Sequence, residues 1–202
     1  MKMKKIVATG SALALTAAVA VGGTLAYLQD ASGDVVNTFT WDAKNAIQLT
    51  LDEHKYLPES NTLDMEADPV QANSNYSIIP GATAPKDPTL HLDTETASYL
   101  YVVIDNKLGE DVVAITGLGQ NWNRVESATL PAGVAGTLYY YTGTVTNGDY
   151  PVFTGVEYAD DLEYDEETSV TGTITVKGFA VQASAGGDAV AAWNATFGAP
   201  QP

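Results

Sequence analysis

The 202-residue chain contains no cysteine, two histidines and nine lysine or arginine residues against 25 acids. Without cysteine there can be no disulfide scaffold, thiol nucleophile, iron–sulfur cluster or Cys-based zinc site. The histidines, His54 and His91, lie far apart in sequence, and no HExxH motif is present, so the chain lacks the helix-borne ligand pair of a zinc peptidase. Both are read as ordinary surface or strand residues. No G-x-S-x-G, phosphate-binding G-x-x-x-x-G-K-[ST] or dinucleotide-binding G-x-G-x-x-G occurs. The shortage of bases matters as much: a formal charge of −16 leaves no footprint for nucleic-acid phosphates and opposes docking on an anionic bilayer. Leucine heptads, solenoid periods and long low-complexity runs are missing too, and no catalytic residue or cofactor is assigned.

The few bases are unevenly placed. Lys2, Lys4 and Lys5 crowd the first five residues, and every acid lies at Asp30 or later. The uncharged stretch Ile6–Val21 follows, and then small residues at Thr24 and Ala26. This is the layout of an export signal, with cleavage expected between Ala26 and Tyr27. The rival reading is an uncleaved anchor, the one route by which this chain would meet a membrane. Cleavage leaves residues 27–202 as a single domain with six bases and 25 acids, a formal −19.

With 45% hydrophobic and 17% charged residues, the remainder can form a core. Ile47, Leu49 and Leu51 alternate with polar residues, as do Leu90 and Leu92, the period of half-buried strands. Tyr99–Ile104 is apolar on both parities, predicting a strand covered on both faces. Thr137–Tyr141 and Val152–Val156 flank the turn signal Asn147-Gly148. In Tyr139–Tyr141 alternate rings are expected on opposite faces, one in the core and one at the surface. Between Thr171 and Ala183 the pattern changes phase, with Ile174 and Val176 on one parity and Phe179 and Val181 on the other. A β-bulge at Lys177-Gly178 is predicted to re-aim the later residues. Asp188 can cap a helix over Ala189–Phe197 that packs Trp193 on the sheets and stops at Gly198. Residues 57–80 read as a long surface excursion. The predicted fold is all-β, a jelly-roll-like antiparallel β-sandwich with one short C-terminal helix.

Six acids fall within residues 160–167. Asp160, Asp161, Glu163 and Asp165 are weak Ca²⁺ candidates, but the EF-hand order is absent and a solvated, self-repelling loop is the plainer reading.

The stretch Val21-Gly22-Gly23-Thr24-Leu25-Ala26-Tyr27-Leu28-Gln29-Asp30, followed by Val36-Asn37-Thr38-Phe39-Thr40, resembles the export signal and mature start of the TasA/camelysin family. Ile79-Pro80-Gly81, Lys86-Asp87-Pro88, Tyr99–Ile104, Tyr139–Tyr141 and Ala180–Ala183 with Ala192-Trp193 are further, shorter points of similarity. The resemblance implies processing by a SipW-type signal peptidase and a jelly-roll subunit that self-associates into extracellular biofilm fibres at a Gram-positive surface. It also implies that the mature N-terminal segment adds as a strand to the next subunit. Residues 27–41 would be that strand, with Val35, Asn37, Phe39 and Trp41 on one parity. The opposing expectation is that the segment pairs within its own domain. A carbohydrate-binding or adhesin-type module with exposed tyrosines is the alternative function. The metallopeptidase activity attached to camelysin finds no ligand motif here.

Overall fold

A computed structural model describes residues 47–162, 171–183 and 187–198, together with the backbone of 29–31. In chain order the first strands are β1 (Gln29–Ala31), β2 (Gln48–Asp52), β3 (Lys55–Leu57), β4 (Thr62–Asp64), β5 (Thr83–Pro85) and β6 (Thr89–Asp93). Next come β7 (Ser98–Asn106), β8 (Val113–Thr116), β9 (Trp122–Arg124) and β10 (Thr137–Tyr141). The series closes with β11 (Gly148–Pro151), β12 (Gly155–Tyr158) and β13 (Ile174–Gln182), before the helix α1 (Ala189–Thr196). The fold is all-β with several antiparallel sheets, and α1 is the one α-helix among the described residues.

The largest sheet has the order β1-β13-β7-β10-β9. At its centre β7 and β13 pair over nine residues, from Ser98↔Gln182 to Asn106↔Ile174. Side chains alternate between the two faces of this pair. On one face Leu100, Val102, Ile104 and Ala180 join Leu49, Leu90, Leu92, Val113 and Val156 from the sheets β11-β6-β2 and β5-β12-β8. On the other face Tyr101, Val103, Leu138, Phe179 and Val181 form a second cluster with Ala189, Ala192 and Trp193 of α1. The apolar run Tyr99–Ile104 is therefore covered on both sides, as its sequence predicts.

That second layer overturns the predicted bulge. The β13–β7 register passes through Lys177↔Val103 and Gly178↔Val102 without a skipped residue. Ile174 and Val176 face the first core, and Phe179 and Val181 face the second. The phase change records where α1 begins to cover the opposite face. For the same reason both faces of the tyrosine run meet a core: the half-buried Tyr139 and Tyr141 pack against the first cluster and Tyr140 against the second.

Two further expectations need correction. Val152–Val156 is not a strand flanking an Asn-Gly hairpin. Val152 and Phe153 lie buried between β11 and β12, and β10 and β12 belong to different sheets. Gly148 opens β11, and Asn147 docks on Thr94, accepting from its amide through Oδ1 and donating its own amide to the Thr94 carbonyl at 3.1 Å. The polar excursion at 57–80 is also more ordered than its pattern suggests. It contains β4, paired with β3, and Val70 bridges to Glu53.

The helix begins as expected. Asp188 accepts from the Ala191 amide at 2.8 Å, satisfying an otherwise orphaned donor. Trp193 is fully buried among Tyr101, Phe179 and Phe197, and its indole N–H reaches the Thr129 carbonyl at 2.9 Å. At the entry to β10, Gly136 (φ +124°) passes so close to β7 that a Cβ would stand 2.3 Å from the Ile104 carbonyl oxygen. Trp193→Ala is expected to lower stability by about 3–5 kcal/mol through cavity formation. Ile79→Ser, at a site 58% exposed, should change it by no more than about 0.5 kcal/mol. Urea unfolding midpoints compare the two.

Candidate functional site

Three places in the fold carry more than packing. The first is the outer edge of the large sheet. Here β1 pairs antiparallel with β13 through Gln29↔Val181, Asp30↔Ala180 and Ala31↔Phe179. The segment expected to act as a donor thus begins by pairing inside its own domain. Val35, Asn37, Phe39 and Trp41 lie outside the described residues, as do the expected cleavage residues Ala26 and Tyr27.

The second place is a cleft of about 680 Å³ whose lining runs from β2 to the excursion and on to the start of β13. Leu51, Val156 and Ile174 contribute apolar wall, while Glu53, Asn73 and Lys86 contribute polar groups. Glu53 directly follows β2 and is fixed through its backbone: its amide donates to the Val70 carbonyl at 3.0 Å and its carbonyl accepts from Val70 at 2.8 Å. Its carboxylate is ion-paired to Lys86, and the two side chains are only 9% and 11% exposed. The other carboxylate oxygen accepts from Asn73 Nδ2 at 3.0 Å. Asn73 is held on its remaining sides as well, with Nδ2 donating to the His54 carbonyl at 2.8 Å and Oδ1 accepting from the Tyr56 amide at 2.8 Å. These backbone partners fix which carboxamide atom is oxygen.

Aromatic rings wall the cluster. Tyr56 and Tyr76 stack with centroids 4.1 Å apart, and the Lys86 ammonium lies 5.6 Å from the Tyr76 ring centre. Burial, followed by the nearby Glu53 charge, pushes the Tyr76 hydroxyl well above its usual range, so it stays protonated. Beside the pair, Asp87 accepts from the His54 amide at 3.0 Å and lies 2.6 Å from its ring Nδ1. Glu53, Asn73 and Lys86 escaped the sequence reading because 20 and 33 residues separate the partners. Only the topology brings them together.

The third place is the outer face of the β11-β6-β2 sheet. His91 on β6 bonds Asp149 on β11 through Nδ1 at 2.7 Å and Asp52 on β2 through Nε2 at 2.9 Å. Burial alone would lower the ring's pKa, but the hydrogen bonds and charges of Asp149 and Asp52 outweigh it, and the net shift is upward from 6.5. Both histidines are thus engaged with carboxylates rather than with each other.

Of the Ca²⁺ candidates, Asp160 and Asp161 follow β12 at the surface, whereas Glu163 and Asp165 lie outside the described residues. Among the described residues, no group of three or more His, Asp or Glu side chains is placed to hold a metal ion, and no helix is long and apolar enough to cross a membrane. Comparison with protein-family models, curated proteins and solved structures found no match. Function has therefore to be argued from these three places.

The sign of the His91 shift gives a test. A folded-state pKa above the unfolded value contributes stability that is fully present below about pH 6.5 and is lost as pH rises through the folded value. The pH dependence of the urea midpoint should therefore fall across that window and flatten in His91→Gln. NMR titration should show the His91 pKa dropping in Asp52→Asn and in Asp149→Asn.

Proposed function

We propose that the chain is an exported structural subunit of extracellular fibres, a jelly-roll-like domain that assembles by strand addition after SipW-type processing. The observation that carries the reading is the position of β1. It lies just beyond the signal-like segment, is three residues long, and is an edge strand of the large sheet. A short terminal strand contributes few contacts to its own domain, so an equivalent segment from another copy can replace it along β13. Such head-to-tail addition is heterologous and propagates unless it closes on itself. The TasA/camelysin-like motifs around residues 21–40 support the same reading, as does a cysteine-free composition in an exported chain.

Charge sets the conditions. Subunits of formal charge −19 repel one another, and screening at 0.15 M salt reaches about 8 Å, so assembly should quicken as salt rises.

The cleft favours a second reading, a module that binds an envelope carbohydrate. Tyr76 offers a ring, and Ser74 and Asn75 offer hydroxyl and amide groups at the same opening. The Tyr139–Tyr141 run gives that reading little support, because the half-buried rings on both of its faces are packed against core clusters.

Electron microscopy of residues 27–202 at rising salt is the test. Filaments that vanish when residues 27–41 are deleted are the expected outcome. A chain that stays monomeric throughout, with or without that segment, contradicts assembly by this route.

A further inference from the structure

We propose that Lys86 and Asn73 become joined by a side-chain amide bond, formed within the protein itself and assisted by Glu53. Two reacting groups and a proton carrier already share one place. The Lys86 ammonium pairs with one oxygen of the Glu53 carboxylate, and the Asn73 carboxamide donates to the other at 3.0 Å. The backbone bridge to Val70 fixes the main chain from which the Glu53 carboxylate reaches both partners. Holding a nucleophile and an electrophile on one buried group makes an otherwise very slow aminolysis effectively unimolecular.

Each part of the step has a residue. The ion pair sets the Lys86 ammonium directly against the carboxylate that must take its proton, and that transfer leaves a neutral amine beside a neutral acid. Nζ then attacks Cγ of Asn73. The negative charge that develops on Oδ1 is met by the Tyr56 backbone N–H, already 2.8 Å away and donating to that atom. Glu53 delivers its proton to Nδ2 and removes one from the attacking nitrogen. The Cγ–Nδ2 bond breaks as the Cγ–Nζ bond is completed, and ammonia leaves through the cleft, which all three residues line. Ammonium, carboxylate and carboxamide thus give a secondary amide, the neutral acid and ammonia, with no change of oxidation state and no co-reactant. The Tyr56–Tyr76 stack walls the cluster, and the Tyr76 ring lies against the Lys86 side chain.

The product would close residues 73–86 into a ring and anchor the polar excursion beside the end of β5. In a chain with no cysteine it supplies a covalent cross-link that needs no oxidising compartment. The chemistry is independent of whether the chain assembles into fibres.

Intact mass spectrometry of the purified, folded chain, held overnight near neutral pH, decides it. The expected mass is one ammonia, about 17 Da, below that of the sequence. Tandem spectra of a digest should contain a branched peptide joining Lys86 to Asn73. Lys86→Ala, Asn73→Ala and Glu53→Gln should each carry the full mass. A folded wild-type chain at full mass overturns the proposal, even where a variant fails to fold. So does a deficit that persists in Lys86→Ala, because that would be cyclisation of an asparagine or of a terminal glutamine. A deficit without the branched peptide overturns it equally.

Discussion

The ladder between β7 and β13 is buried on both faces over residues 100–103 and 178–181, and the rest of the molecule is arranged around it. A sheet with two apolar faces needs a cover on each. The smaller sheets supply one through Leu49, Leu90, Leu92 and Val156, and α1 supplies the other through Ala192 and Trp193. Removing either cover would expose a row of large side chains from strands in the middle of the sheet. The nine-residue register also positions the sites. It fixes where β13 offers its outer edge to β1, and it sets the start of β13 against the cleft that holds Glu53 and Lys86.

Residues whose environment is set by near neighbours were legible in the sequence. Leu90 and Leu92 alternate with Thr89, His91 and Asp93 because β6 has one inner face, and Asp188 announces α1 because capping is a local hydrogen bond. The pattern in β13 was legible too, but its cause was not. A change of parity from Val176 to Phe179 has two physical origins, a bulge under one core or a straight strand between two. Only the position of α1 separates them. The Asn147-Gly148 signal misled for a related reason. Asn147 spends its side chain on Thr94, 53 residues away, instead of closing a local hairpin.

The buried polar cluster was the least legible feature, because each member has an ordinary role in its own segment. Glu53 reads as an acid after a strand, Asn73 as a loop residue and Lys86 as a pre-strand base. With the Glu53 and Lys86 side chains only 9% and 11% exposed their meaning changes, since a buried pair must find its partners within the protein. The outer-face relay of Asp52, His91 and Asp149 is the solvated counterpart. It stitches three strands of one sheet by hydrogen bonds, and its titration is felt as a pH dependence of stability.

The strand reading of function depends on a contrast between a central ladder that does not open and a terminal strand that does. Native-state hydrogen exchange measured residue by residue tests this most directly. The hydrogen-bonded amides of β7 and β13, including those on both sides of Gly178, should exchange only with global unfolding, while those of Gln29–Ala31 exchange far earlier. Fast exchange around Lys177-Gly178, or protection of β1 equal to that of β7, would contradict the account.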